Sequence, residues 1–277
     1  MGSALSMTKE GAAADVDKQE PSKITGSAPV SARDVLPGLR INTGRPAKGV
    51  DEARGVIQLL STAGIPACVV GVHALRYYGA ARVSWEWDIC VPHHQLKDAE
   101  HLFAENDQYE PAEPPHLVWD TLRHLYPIFK VKSVGFFFIL TPSSQYFIDP
   151  RPENCEVSMK GILYPKMSCF ARALLVSQNR ADVADFIDGM DLDEAWGEEN
   201  IDFGDLQVKG LEFSAALNVE LRARNMIPLN MNIDYRSEWN RIVGNKNKRI
   251  EPMKQGRYKT RWRRIKNDID PRERGIF

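Results

Sequence analysis

Residues 64–92 read GIPACVVGVHALRYYGAARVSWEWDICVP, and this stretch decides the fold. Residues 66–70 form a short apolar run that ends at Gly71, which predicts a buried strand. Residues 73–78 then predict a helix that the next glycine ends. A second strand is predicted over residues 83–91, where a proline stops it. The stretch therefore predicts a strand–helix–strand unit with a glycine turn after the first strand.

Two carboxylates lie on the second predicted strand. Side chains alternate across a strand, so Glu86 and Asp88 point to one face and Trp87 points to the other. Carboxylate oxygens are the ligands that Mg²⁺ prefers, and Mg²⁺ commonly bridges to substrate phosphates. A glycine turn at a helix N-terminus, as at Gly71, can hold those phosphates. The pattern indicates phosphoryl or nucleotidyl transfer chemistry.

Outside this stretch, hydrophobic spacing alternates between the periods of helices and strands. Helices are predicted over 50–60, 96–103, 167–175, 183–187 and 211–224, and strands over 127–131, 135–140 and 145–148. This order predicts an α/β (α+β) fold: a mixed sheet flanked by helices, with a C-terminal helical part.

The chain is predicted to have four parts. Residues 1–48 are predicted to be disordered, because 23 of the first 46 are Gly, Pro, Ser, Ala or Thr and no aromatic residue precedes Tyr77. Residues 49–160 are the predicted core domain, and 161–225 are a helical extension packed on it. Residues 226–277 are predicted to be a basic tail.

Composition excludes several classes of protein. Of the 277 residues, 43% are hydrophobic and 26% charged, which is unlike collagen, a wholly disordered chain or a disulfide scaffold. No apolar run approaches the length of a transmembrane helix, and the N-terminus lacks the pattern of a secretory signal. The four cysteines contain no CxxC pair, which favours reduced thiols in the cytoplasm.

Charge is unevenly distributed. Residues 241–277 hold 13 Lys/Arg and 4 Asp/Glu, a net of +9, while the remaining 23 basic and 33 acidic residues give −10. Within this tail, residues 254–266 (KQGRYKTRWRRIK) interleave Tyr258 and Trp262 with basic side chains. That pattern suits single-stranded nucleic acid, nuclear import or an anionic membrane surface. A solubilising tail, or a cover for the acidic body, is the alternative.

The N-terminal residues Met1-Gly2-Ser3-Ala4-Leu5-Ser6 fit an N-myristoylation pattern. One acyl chain binds membranes only marginally, and a polybasic patch is the usual second signal. This pattern and the basic tail together offer peripheral membrane association as an alternative to a purely cytoplasmic location.

Residues 64–92 resemble the polymerase-beta-like nucleotidyltransferase superfamily. Its pattern is a hydrophobic residue with Gly-Gly or Gly-Ser, then about 9–13 residues, then Asp-hydrophobic-Asp/Glu. In this chain, Val70-Gly71-Val72 is followed by 13 residues and then Glu86-Trp87-Asp88. The toxin-type and antibiotic-modifying members also carry Leu, Gly, Arg and Thr between these motifs, where this chain has Leu75, Gly79, Arg82 and Ser84.

The resemblance extends over about residues 50–200. Downstream, such members often carry a lysine and then Arg-x-x-Lys-Asp-x-x-Asp, which Lys166 and residues 180–185 (RADVAD) match loosely. The chain also resembles fungal nucleotidyltransferase-like proteins in residues 164–171 (YPKMSCFA) and 185–200 (DFIDGMDLDEAWGEEN).

The resemblance implies Mg²⁺-dependent transfer of a nucleotidyl group from an NTP to a hydroxyl acceptor. It implies metal binding and catalysis by Glu86 and Asp88. It implies phosphate or nucleotide contacts by the group Gly71, Val72, Arg82, Ser84 and Lys166. The alternatives are that Arg82 pairs with a carboxylate of the body and that Lys166 is a solvated helix lysine. The superfamily's third carboxylate is the base for the acceptor hydroxyl. Residues 135–140 hold no acid, so Asp149 is the nearest candidate.

Two departures from the superfamily pattern leave alternatives open. Val72 stands where members carry a small residue, and Glu86 replaces the first Asp. One alternative is therefore a catalytically inactive descendant that acts as a nucleotide-sensing or protein-interaction module. Another is a membrane- or RNA-associated adaptor that acts through residues 241–277.

Overall fold

The computed structural model of the chain describes residues 49–113, 122–132, 134–255 and 269–274, which all belong to one compact unit. The predicted disordered segment 1–48, with its N-myristoylation pattern, lies outside the described residues. So does most of the basic stretch 254–266. Within the described ranges, no helix is both long and apolar enough to cross a membrane.

The elements follow in chain order. The helices are α1 Val50–Thr62, α2 Gly71–Tyr77, α3 Leu96–Ala104, α4 Met167–Ser177, α5 Arg180–Met190, α6 Glu194–Asn200, α7 Phe203–Ala223, α8 Tyr235–Gly244 and α9 Lys246–Lys254. The strands are β1 Cys68–Val70, β2 Glu86–Val91, β3 Tyr109–Pro111, β4 Ile128–Val131, β5 Phe137–Pro142, β6 Cys155–Val157 and β7 Leu163–Pro165.

The main sheet is mixed. Its strand order is β1-β2-β5-β4-β3, in which β2 and β5 run parallel and the other neighbours run antiparallel. Strands β6 and β7 form a separate antiparallel pair. The predicted α/β class, with a mixed sheet flanked by helices and a C-terminal helical part, is confirmed.

The strand–helix–strand unit predicted from residues 64–92 forms with one change of boundary. Strand β2 begins at Glu86 rather than at Val83. Val83 is 81% exposed and Trp85 48% exposed, so these two apolar side chains belong to the loop before the strand. The shorter strand starts at the first residue of the carboxylate pair.

The strand predicted over residues 145–148 is wrong. Residues Ser143–Gln145 form a single 3-10 turn after β5, and Phe147 has a left-handed backbone with φ of 52°. The Phe147 ring packs edge to face on Phe213 of α7, with ring centroids 5.2 Å apart. Phe147 therefore anchors a turn against a helix instead of alternating along a strand.

Aromatic side chains join the sheet to the helices. Tyr78, which follows α2, is fully buried and contacts the rings of Phe170 on α4 and Phe186 on α5. Its hydroxyl donates to the carbonyl oxygen of Pro165 at 2.5 Å. This cluster holds α4 and α5 beside α2, the helix that follows the glycine turn.

The first part of the segment predicted as a basic tail is folded onto the core. Tyr235 and Trp239 of α8 have no exposed surface. Arg249 of α9 donates two hydrogen bonds to the buried carboxylate of Asp188 on α5, both at 2.8 Å. The apolar side chains of α8 lie at helical spacing on one face, and this explains why α8 packs on the core. The net charge of the region does not indicate this packing.

The last described residues also contact the core. Pro271 is buried, and its ring would lie 2.7 Å from a Cβ on Gly79. Arg272 pairs with Asp270 at 2.8 Å and with Glu156 at 3.4 Å. The chain is therefore fixed to the body again at residues 269–274.

Candidate functional site

The glycine turn and the carboxylate strand meet through the β1–β2 pairing. Val70, the last residue of β1, lies opposite Asp88 of β2. Gly71 then turns the chain into α2 with a left-handed φ of 63°, which glycine adopts at no steric cost. A Cβ atom on Gly71 would lie 2.5 Å from Oδ2 of Asp88. The backbone therefore approaches the carboxylate as closely as only glycine permits.

Arg123 connects the two carboxylates. Its Nε donates to Oδ1 of Asp88 at 2.8 Å, and one terminal nitrogen lies 3.7 Å from Oε2 of Glu86. Burial alone would lower the pKa of Arg123, but the charge of Asp88, its hydrogen bond and the nearby Tyr146 and Glu86 together outweigh burial, so the pKa rises above its usual value. Burial raises the pKa of Asp88, and Arg123 opposes that rise. The pair is thus a buried carboxylate site with a bound guanidinium.

Arg123 was missed by the sequence analysis. It belongs to a short 3-10 turn, Leu122–Leu125, that carries no motif and no clear hydrophobic period. It lies 35 residues from Asp88 in the chain. The only available signal was indirect: two carboxylates on one half-buried strand require a positive partner.

Tyr146 completes the inner wall of the site. Its hydroxyl oxygen would lie 3.3 Å from a Cβ on Gly71. Burial raises the pKa of Tyr146 well above its usual value, and the negative charge of Asp88 raises it further. The phenol therefore stays protonated beside the carboxylate.

Arg82 is held by two carboxylates of α5. Its guanidinium contacts Asp182 at 2.5 Å and Asp185 at 2.6 Å. Burial raises the pKa of Asp182, although the charge of Arg82 opposes the rise. Two stretches that the sequence resemblance treats separately, Arg82 before β2 and the Asp pair of α5, are thus one ion-pair cluster.

The other predicted site residues have different surroundings. Val72 is half-buried in the first turn of α2. The hydroxyl of Ser84 donates to the carbonyl oxygen of Glu86 at 3.0 Å. Nζ of Lys166 donates to the carbonyl oxygen of Glu153 at 2.6 Å. In the part of the chain that the structure describes, none of these three side chains is hydrogen-bonded to the carboxylate of Glu86 or of Asp88.

Asp149, the predicted base, lies in a different place. Its carboxylate accepts a hydrogen bond at 2.6 Å from Nε of Arg151, and this hydrogen bond lowers the pKa of Asp149. It lines a cavity of about 950 Å³ near the carboxyl ends of β2 and β5, and neither Glu86 nor Asp88 lines that cavity. The structure brings Glu86, Asp88 and Gly71 together but does not bring Asp149 to them.

A magnesium ion does not fit the carboxylate pair as it is arranged. The oxygen donors are of the right chemical kind. However, Oδ1 of Asp88 accepts from Arg123, and Oδ2 faces Gly71. Among the described residues, no group of three or more His, Cys, Asp or Glu side chains is suited to a metal ion. Arg123 supplies positive charge where the resemblance implies a cation.

The opposite face of β2 carries a stacked aromatic pair. The rings of His73 and Trp87 lie 3.8 Å apart with an interplanar angle of 11°. Burial, with Arg76 as the second cause, lowers the pKa of His73 to about 3. Within the described residues, neither ring nitrogen of His73 has a hydrogen-bond partner. This imidazole is therefore neutral and forms part of the hydrophobic core on the face of β2 opposite the carboxylates.

Comparison with known proteins gives similarity in structure only. The sequence matches no protein-family model and no curated protein. The chain is similar to the antibiotic-resistance factor ANT(2'')-Ia in solution, with 10% identity over 64% of this chain and 94% of that one and a TM-score of 0.34. The complex of ANT(2'')-Ia with adenylyl-2''-tobramycin has 10% identity, over 61% of this chain and 98% of that chain, with a TM-score of 0.35. JHP933 from Helicobacter pylori has 14% identity, over 75% of this chain and 93% of that chain, with a TM-score of 0.32.

Proposed function

We propose that this chain binds a nucleoside triphosphate between the Gly71 turn and the carboxylates of β2, and transfers its nucleotidyl group to a hydroxyl acceptor. One observation carries the proposal: pairing of Val70 with Asp88 places a left-handed glycine turn directly against a buried carboxylate. The turn exposes backbone amides to phosphates, and the strand fixes the acids beside them. The sequence resemblance supports the same assignment.

The proposed reaction is a displacement at the α-phosphorus. The acceptor oxygen forms a bond to that phosphorus, the bond to the bridging oxygen breaks, and pyrophosphate leaves. The acceptor proton passes to a base, for which Asp149 stays a prediction. In the proposal, Arg82 and Lys166 neutralise phosphate charge. The proposal includes magnesium at Glu86 and Asp88 only in a state in which Arg123 no longer contacts these two carboxylates.

A second candidate function is a nucleotide-sensing or interaction module without catalysis. The residues of β5 that lie opposite Glu86 and Asp88 are Phe137 and Ile139, so this neighbouring strand supplies no third carboxylate. A general base typically contributes about 10²–10⁴-fold to a rate. A protein that binds nucleotide here without such a base would have little transfer activity.

Calorimetric titration with each NTP, with and without Mg²⁺, tests the binding step. The isosteric double variant Glu86→Gln/Asp88→Asn removes the charges and keeps the shapes. The matched control is Asp51→Asn/Glu110→Gln, which removes two exposed carboxylates. We expect the site variant to lose NTP binding by at least tenfold and the control to match the wild type. Equal affinity in all three proteins would overturn the assignment of the site.

Pyrophosphate release then separates the two candidate functions. The wild-type chain is incubated with the NTP it binds and with sets of hydroxyl acceptors, which include small molecules, peptides and oligonucleotides. Release that depends on both acceptor and carboxylates supports transfer. Tight NTP binding with no release above that of the double variant supports the sensing module.

A further inference from the structure

We propose that Arg123 is the resident cation of the Glu86–Asp88 pair, and that a divalent cation binds these carboxylates only when Arg123 leaves. The guanidinium contacts both acids, with its Nε 2.8 Å from Asp88 and a terminal nitrogen 3.7 Å from Glu86. It therefore takes the bridging position that a shared cation would take.

The setting makes this arginine an integral part of the site. The side chain of Asp88 is 5% exposed and that of Arg123 is 23% exposed, so water screens their attraction weakly. A planar guanidinium presents several donors in a fixed fork and can serve two acceptors at once. Leu122, the neighbour of Arg123, is buried and fixes the short turn on the body.

Arg123 and a divalent cation compete for the same oxygen atoms. Arg123 binds Oδ1 of Asp88 and lies 3.7 Å from Oε2 of Glu86, so it already uses one oxygen of each acid that a bridging cation would use. A guanidinium and a metal ion within one buried pocket would also repel each other. Metal affinity should therefore be set by how readily Arg123 is displaced.

Direct titration with Mn²⁺, followed by the loss of the free-ion electron paramagnetic resonance signal, tests this competition in the full chain. Four proteins are compared: wild type, Arg123→Gln, Arg123→Lys and Arg123→Gln/Asp88→Asn. The matched control is Arg151→Gln, because Arg151 also contacts two carboxylates, Asp149 and Glu153, but is exposed. Circular dichroism and thermal unfolding report whether each variant folds.

We expect Arg123→Gln to bind one Mn²⁺ at least tenfold more tightly than the wild type, and the added Asp88→Asn change to abolish that site. Arg123→Lys should be intermediate, since an ammonium keeps the charge but does not bridge both acids equally well. Arg151→Gln should match the wild type. Equal affinity of wild type and Arg123→Gln would overturn the proposal, as would a gain that survives Asp88→Asn.

Loss of folding does not remove the test. If Arg123→Gln fails to fold because it leaves buried acids unpaired, Arg123→Lys must still bind Mn²⁺ more tightly than the wild type. An unchanged affinity in a folded Arg123→Lys protein would then overturn the proposal. The inference rests on the proposed function only in taking this pair as the cation site. The titrations contain no nucleotide, so a chain that binds no NTP still gives a result on Arg123.

Discussion

A methyl group on Gly71 would lie 2.5 Å from a carboxylate oxygen of Asp88, well inside van der Waals contact. Gly71 also has a positive φ of 63°. Two independent requirements, one conformational and one steric, therefore demand glycine at this position. The turn after β1 and the acid on β2 form one fitted unit, and a change in either moves the other.

Replacement of Gly71 by alanine should destabilise the protein more than the same change at Gly64. Gly64 has a similar φ of 74°, but a Cβ there meets nothing within 4 Å. Both variants carry a conformational cost of about 1–2 kcal/mol. Gly71→Ala adds overpacking against Asp88, which typically costs about 1–3 kcal/mol. Urea unfolding midpoints give the comparison, and equal losses would show that the close approach is easily relaxed.

Arg82→Ala should lower the free energy of unfolding by about 1–3 kcal/mol, because it leaves the partly buried carboxylate of Asp182 without its cation. A double-mutant cycle with Asp182→Asn measures the coupling between the two side chains. The control is Arg151→Ala, whose exposed ion pairs should contribute less than about 1 kcal/mol. A coupling energy near zero would contradict a stabilising Arg82–Asp182 ion pair.

His73 should make the protein sensitive to acid. Its pKa is about 3 in the folded chain, below the ordinary value of about 6.5 expected for the unfolded chain. The stability it contributes is therefore complete above about pH 6.5 and is lost as the pH falls toward 3. The slope is at most about 1.4 kcal/mol per pH unit for one proton.

The variant His73→Phe keeps a ring to stack on Trp87 and removes the titrating group. Its unfolding free energy, measured by urea at several pH values, should fall less steeply between pH 6 and 4 than that of the wild type. The exposed His101, changed to glutamine, serves as the control. Parallel pH profiles for wild type and His73→Phe would contradict the burial of a neutral imidazole.

Trp239→Ala should cost about 3–5 kcal/mol, as expected for a large ring removed from a core. Trp239 packs on Trp196, and its Nε1 would lie 2.3 Å from a Cβ on Gly197 of α6. Trp85→Ala, at a half-exposed loop position, should change the unfolding free energy by less than about 1 kcal/mol. Similar losses in the two variants would show that α8 is not part of the cooperative fold.

The carboxylate site was predictable because its parts are local in sequence. The alternation that puts Glu86 and Asp88 on one face is a property of any strand. The glycine that follows β1 can be read directly from the sequence. The charged side chains that pair with Asp88 and Arg82 were not predictable from the sequence. Arg123 reaches Asp88, and Asp182 reaches Arg82, only through tertiary packing across 35 and 100 residues.

Errors in the predicted fold have similar physical causes. The run at 145–148 is as apolar as a strand, but the ring of Phe147 packs on α7, and tertiary contact overrides local preference. Helix α8 carried a usable signal, since Tyr235, Trp239 and Ile242 have helical spacing and are all buried. The high net charge of the C-terminal region instead favours the prediction of a solvated tail.

The return of the chain at residues 269–274 changes what the basic segment 256–268 can do. The segment is attached at both ends, by α9 with its Arg249–Asp188 pair on one side and by Pro271 beside Gly79 on the other. A partner that binds between these two attachment points would act on Pro271, and through it on Gly79, which lies just after the helix that follows Gly71.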